Sequence, residues 1–142
     1  MNADLNEGVD CPVNKAVELF NKKWTIQIIR DMFFGKKHFK EFLEDKPGLS
    51  NKVLSNCLKE MEENGLIQKK VLNTSPVTTE YYLTERGQGM NKIIYELAMF
   101  TLDKCDFEEY EDKKVTREMK DNFKKVCKKG KKVGALNLPL PC

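Results

Sequence analysis

Between residues 38 and 83 the order of local signals leaves few folds open. Residues 38–45 read as a short helix, with Phe39, Phe42 and Leu43 facing inward. Lys46-Pro47-Gly48 then breaks the chain, and Leu49 is placed to enter the core. Ser50 is a good N-cap for a longer helix running to about residue 64. Its residues Val53, Leu54, Cys57, Leu58 and Met61 form one apolar stripe at helical spacing. Residues 66–72 alternate weakly, Asn73-Thr74-Ser75-Pro76 suits a hairpin tip, and 78–83 is a β-branched and aromatic return strand. Helix, glycine turn, helix and hairpin predict a mainly α chain with a small β-hairpin wing, a winged helix-turn-helix. That arrangement mostly serves to lay one helix in a DNA major groove.

The flanking segments support it. Pro12 suits the first turn of a helix, with Cys11 next to the N-cap position and Ala16, Val17, Leu19 and Phe20 as its apolar face. A second helix over 24–34 carries Trp24, Ile28, Ile29, Met32 and Phe33 at spacings of three and four, and Gly35 suits a left-handed cap. After the hairpin, 84–105 reads as one long helix capped by Thr84. Met90, Ile93, Ile94, Tyr95, Leu97, Met99, Phe100 and Leu102 spread apolar surface around much of its circumference. Such a helix is usually buried on more than one side, and the simplest second cover is another copy of the chain.

Charge divides the 142 residues in two. Residues 1–112 hold 15 Lys/Arg against 20 Asp/Glu, and residues 113–142 hold 10 against 2. The expected organisation is a DNA-binding and dimerisation domain over 1–112 and a basic C-terminal extension over 113–142. A basic segment on an acidic body marks a nucleic-acid or acidic partner, although a solvated tail would look the same. Within the extension, Val115, Met119, Phe123, Val126 and Cys127 fall at roughly helical spacing, which argues against a purely random tail over 113–132.

Five cysteines (11, 57, 105, 127 and 142) form no close pair, and one histidine, His38, cannot complete a zinc quartet with them. No metal or organic cofactor is indicated. Scattered thiols without a signal peptide fit a reducing cytoplasm, and the longest apolar runs fall short of the ~20 residues that span a bilayer. There is no glycine-rich phosphate loop after a strand and no nucleophile beside a base, so an enzyme is not expected.

The candidate chemistry lies on the fourth helix. Roughly fifteen residues make ~22 Å, enough to lie along a major groove about 12 Å wide. Its outer face offers Ser50, Asn51, Lys52, Ser55 and Asn56, with Lys59 beyond them. Asn can pair with adenine, Lys can reach guanine, and Ser is versatile. The acids Glu60, Glu62 and Glu63 crowd the far end, away from phosphate. An ordinary surface helix shows the same pattern, and the helix-turn-helix context decides between them. Lys69, Lys70, Thr74 and Ser75 on the wing, with Lys37 and His38 before the third helix, suit backbone or minor-groove contacts.

Several strings of residues resemble one family. Cys11-Pro12-Val13, Lys23-Trp24-Thr25, Ile28-Ile29-Arg30 and Gly35 look like the opening of HxlR-type transcriptional regulators, relatives of the MarR group. The likeness continues through Phe39-Lys40-Glu41-Phe42, Gly48-Leu49-Ser50-Asn51-Lys52-Val53-Leu54, Leu58-Lys59-Glu60-Met61-Glu62, Asn64-Gly65-Leu66-Ile67 and Tyr82-Leu83-Thr84-Glu85-Arg86-Gly87, covering about 11–102. The resemblance implies a homodimer, built by the terminal helices, on double-stranded operator DNA of roughly palindromic sequence. In several such proteins the cysteine matching Cys11 senses oxidants or electrophiles, and a thiol at a helix N-terminus is favoured as thiolate. A cysteine there also serves simply to pack at an interface. His38 departs from the arginine usual at its position, and the wing has Pro76 and two lysines where relatives are often richer in proline and arginine. The alternative is a winged helix used as a protein-interaction module, which the net acidity of 1–112 supports.

Overall fold

The computed structural model describes residues 8–20 and 22–127. The helices that precede the hairpin are α1 (Pro12–Phe20), α2 (Lys23–Phe33), α3 (Phe39–Leu43) and α4 (Asn51–Glu63). Strands β1 (Ile67–Leu72) and β2 (Thr78–Leu83) pair antiparallel, from Ile67 opposite Leu83 to Leu72 opposite Thr78. Helices α5 (Glu85–Gln88), α6 (Asn91–Lys104) and α7 (Lys113–Cys127) follow, with a 3-10 turn at Glu108–Tyr110 before the last. The fold is the mainly helical winged helix-turn-helix expected.

Its core is made by three stripes that periodicity marks in advance. Ile28, Ile29, Met32 and Phe33 of α2 meet Leu54, Cys57, Leu58 and Met61 of α4, with Phe42 of α3 between, and Leu66 and Ile67 close the side toward the wing. Val53 is a correction: it is 43% exposed, at the edge of the stripe, so it flanks the outer face of α4 instead of joining the core.

The turn between α3 and α4 is fixed from inside. Helix α3 is shorter than 38–45: His38 is its N-cap, Glu44 its extended C-cap, and Asp45 adopts φ +59. Gly48 has φ +92 with nothing near a would-be Cβ, so glycine is there for backbone conformation alone. Lys46, 4% exposed, donates to the fully buried Asp31 carboxylate and to the Phe42 carbonyl at 2.8 Å. The other Asp31 oxygen accepts from Arg30 Nη2 at 2.8 Å.

The helix expected over 84–105 is two helices. Thr84 is a cap, its Oγ accepting from Gly87 N at 3.1 Å, but the helix it starts ends at Gln88. Gly87 presses on the wing so closely that a Cβ would lie 2.1 Å from the Leu66 carbonyl oxygen, and Gly89 caps the short helix. Helix α6 then starts at Asn91, with Met90 as its N-cap. Part of its apolar circumference is covered by α7 of the same chain, while Leu97 (47%) and Phe100 (61%) stay exposed.

The helical stripe in the basic extension is present as far as Cys127. Phe123 packs edge-on against Phe34 at 5.1 Å between centroids, and Asn91 Nδ2 donates to the Cys127 carbonyl at 2.6 Å. Val115, Met119 and Val126 are half-buried. Residues 128–132 of that expected segment, and the polar first seven residues, lie outside those described.

Candidate nucleic-acid interface

Helix α4 presents the face the sequence assigns to it. Ser50 Oγ accepts from Val53 N at 3.1 Å, capping the helix and holding its first turn in place. Asn51, Lys52, Ser55, Asn56 and Lys59 are exposed along one side. The first turn contains no acid, so the positive end of the helix dipole is uncompensated where phosphate would approach. Glu60 at the far end pairs with Lys22 at 3.1 Å.

The wing divides the residues assigned to it. Adjacent side chains of a strand point to opposite faces, so Lys69, opposite Tyr81, and Lys70, opposite Glu80, cannot contact one groove wall together. Thr74 Oγ1 donates to the Pro76 carbonyl at 2.7 Å and lies 3.2 Å from Thr78 Oγ1, which shapes the tip. Ser75 is exposed there, flanked by Val71 and Val77, which are also exposed.

Lys37 and His38 are brought to the wing by the backbone, since Tyr81 N donates to the Lys37 carbonyl at 2.8 Å. Their amides donate to one oxygen of Glu41, at 3.2 and 2.9 Å, which starts α3. Their side chains meet Glu80 on β2: Lys37 Nζ lies 3.0 Å and His38 Nε2 3.7 Å from Glu80 Oε2. The Tyr82 hydroxyl donates to Oε1 of the same carboxylate. Hydrogen bonds from Tyr82 and then Lys37 hold the Glu80 carboxyl below the usual carboxylate range. The same contact with Glu80 raises the Lys37 ammonium, and the carboxylate's acceptance of the Tyr82 proton raises that phenol.

The cysteines separate by exposure. Cys11 is half-exposed and caps α1: its carbonyl accepts from Lys15 N at 3.1 Å, and its amide donates to Asp10 Oδ1 at 2.9 Å. Lys15, one turn further along α1, pairs with Glu18 at 3.6 Å. Cys105 is also half-exposed, at the end of α6. Cys57 is buried against Thr25 and Met61, and burial raises its thiol. Burial alone pushes the Cys127 thiol up to about 12. Neither is poised to react near neutral pH.

Four side chains that shape this face carry only faint local signals. Glu80 is the one acid between residues 66 and 83, two positions from Tyr82. Asp31 interrupts the apolar run of α2, and Lys46 sits in the chain break. An acid within an otherwise buried face is the mark that could have pointed to a buried pair.

A capped helix with an acid-free first turn, a glycine turn behind it and a hairpin beside it define a winged helix-turn-helix protein. The chain belongs to the HxlR-like helix-turn-helix family, whose profile matches residues 19–109. It is 35% identical over 97 residues to the HTH-type transcriptional regulator YodB of Bacillus subtilis, covering 68% of this chain and 87% of YodB. It is 33% identical over 103 residues to YvaP of the same organism, an uncharacterized HTH-type transcriptional regulator, covering 72% and 95%. Among solved structures, the redox regulator HypR in its oxidized form superposes with a TM-score of 0.63 at 29% identity, covering 68% of this chain and all (100%) of HypR. The reduced form of YodB superposes with a TM-score of 0.59 at 34% identity, covering 69% and 97%. This chain is therefore a transcriptional regulator of the helix-turn-helix type, with relatives that are regulators and not enzymes. No helix among the described residues is long and apolar enough to cross a membrane.

Proposed function

We propose that the chain is a cytoplasmic homodimer that binds a pseudo-palindromic operator, with α4 of each copy in a major groove. The observation that carries this is the outer face of α4: exposed Asn51, Lys52, Ser55 and Asn56 beside an N-terminus free of acids. Ser50, Asn51, Lys52, Ser55 and Asn56 read base edges. Lys37, His38, Lys59 and Lys70 hold backbone, Lys69 reaches a separate phosphate from the opposite face of the hairpin, and Thr74 and Ser75 carry the wing tip to the adjacent minor groove. Dimerisation is supported by the apolar surface left uncovered: Val13 and Val17 on α1, which buries no residue, and Leu97 and Phe100 on α6.

Cys11 is the proposed redox switch. HypR is a redox regulator solved oxidized and reduced, and YodB is solved reduced and diamide-treated. A half-exposed thiol at the head of an apolar helix lies where oxidation can move one copy against the other and change half-site spacing. Cys11→Ser is expected to keep the DNA affinity of the reduced protein and to lose its response to diamide. Equal responses in Cys11→Ser and wild type would assign sensing to another thiol, with half-exposed Cys105 the next to replace.

The primary test is fluorescence anisotropy of the reduced protein on its own upstream intergenic DNA and on a shuffled duplex, at about 150 mM salt. Preference for the upstream DNA is the expected result. Asn51→Ala with Lys52→Ala should abolish that preference while leaving the circular dichroism and melting temperature unchanged, a loss of about 1–3 kcal/mol for each bidentate base contact removed. Undiminished discrimination by that variant would reject α4 as the reading helix. Failure of the wild type to bind either duplex would transfer the winged helix to a protein partner.

A further inference from the structure

Glu80 has no part in the DNA reading, yet that reading runs through its partners. Its side chain is 10% exposed, on β2, and three groups converge on its carboxylate: the Lys37 ammonium at 3.0 Å, the His38 ring at 3.7 Å and the Tyr82 hydroxyl. Lys70 stands across the strand register from Glu80, on the same face of the hairpin, without forming an ion pair with it. One carboxylate therefore faces Lys37 and His38, both assigned above to the DNA backbone. Lys37 and His38 keep 44% and 42% of their side-chain surface exposed, so both remain open to an approaching anion. Glu41 accepts hydrogen bonds from the amides of the same two residues and adds a weaker attraction to the Lys37 ammonium than Glu80 does.

We propose that Glu80 sets the DNA affinity of this protein by standing in for phosphate: in the free chain it occupies the cations that the DNA backbone would otherwise recruit. This rests on the DNA reading above and adds to it a residue that opposes binding. Carboxylate and phosphate oxygens are acceptors of the same kind for an ammonium or imidazolium group. A lysine shared between them holds two anions close together, and their repulsion offsets part of the new contact. Cations already neutralised by Glu80 also release fewer counterions when DNA arrives. Binding to any duplex is then weaker and less dependent on salt than the number of basic residues implies. Discrimination falls more heavily on the base contacts of α4, since phosphate contacts carry no sequence information.

The decisive variant is Glu80→Gln, which keeps the shape, removes the charge and retains one acceptor oxygen, so that Tyr82 or Lys37 keeps its hydrogen bond and the other meets the amide NH2. The backbone tie from Tyr81 to Lys37 is untouched by it. Full-length reduced protein is titrated onto the upstream DNA and the shuffled duplex across a salt series. Expected is tighter binding of Glu80→Gln to both duplexes, by about threefold at low salt, with a log–log slope steeper by about 0.9 for each phosphate gained. Lys37→Ala should cost more affinity in the Glu80→Gln background than in the wild type, because only there is its charge fully available. Glu80→Asp retains the charge and should keep the wild-type slope. Unchanged or weaker binding by Glu80→Gln overturns the proposal, whether its melting temperature holds or falls; a fall in both would make Glu80 a strut of the wing. A wild type that binds neither duplex overturns the DNA reading, and the role of Glu80 with it.

Discussion

At the scale of single residues the most consequential contact lies inside the core. Asp31 is fully buried on α2, and Lys46 reaches it from the turn before α4. The pair therefore ties the central helix of the core to the turn that precedes α4. Two charges removed from water are costly, so such a pair is worth less than its distance suggests. Breaking it is another matter. Lys46→Ala leaves a buried carboxylate with Arg30 as its ion-pair partner, and the expected loss is about 3–5 kcal/mol. For a chain of this length that lowers the melting temperature by about 6–20 °C. Asp31→Asn combined with Lys46→Met should recover more than half of the loss, since neither side chain is then charged. Thermal denaturation of the three proteins checks this. A single variant that melts with the wild type would show that the pair adds nothing to stability.

Elements differ in how far their own residues determine them. Helix α4 was legible because its signals are local: Ser50 as cap, an apolar stripe at helical spacing, and a polar face that the same spacing places outside. Val53 shows where that logic stops, since the stripe assigns it inward but no neighbouring element reaches far enough to cover it. The wing was legible as a hairpin, whereas the divergence of Lys69 and Lys70 follows only from the register. The helix over 84–105 failed for a different reason. Its apolar pattern is continuous, and its break is imposed by the Leu66 carbonyl against Gly87, a contact between segments far apart in sequence. Gly87 and Gly89 together were the only local hint. The candidate site divides the same way. The residues of α4 follow from spacing, while Glu80 acquires its partners only when β2 and the residues before α3 are brought together by Tyr81 and Lys37.

On the scale of the whole molecule, charge and packing divide the chain differently. By charge, residues 113–142 are an appendage to an acidic body, and the family match ends at residue 109. By packing, α7 lies along α6, buries Phe123 against Phe34 and leaves Cys127 only 1% exposed. It also covers one side of the apolar circumference of α6 and leaves Leu97 and Phe100 exposed on another. Ending the chain after Asp112 would remove positive charge and uncover that apolar surface at once. Fully burying a phenylalanine contributes about 1.5–3 kcal/mol, so loss of α7 should lower the melting temperature by about 3–12 °C. Weaker DNA binding by that truncated chain would then confound lost charge with a loosened fold. Replacing the exposed Lys124 and Lys125 by glutamine removes charge and leaves Phe123 in place. If the extension assists DNA through its charge, that variant should bind both duplexes more weakly with a shallower salt slope, at an unchanged melting temperature. Should the truncated chain instead melt with the wild type, α7 would add charge without stability, and the packing against Phe34 would have to be judged dispensable.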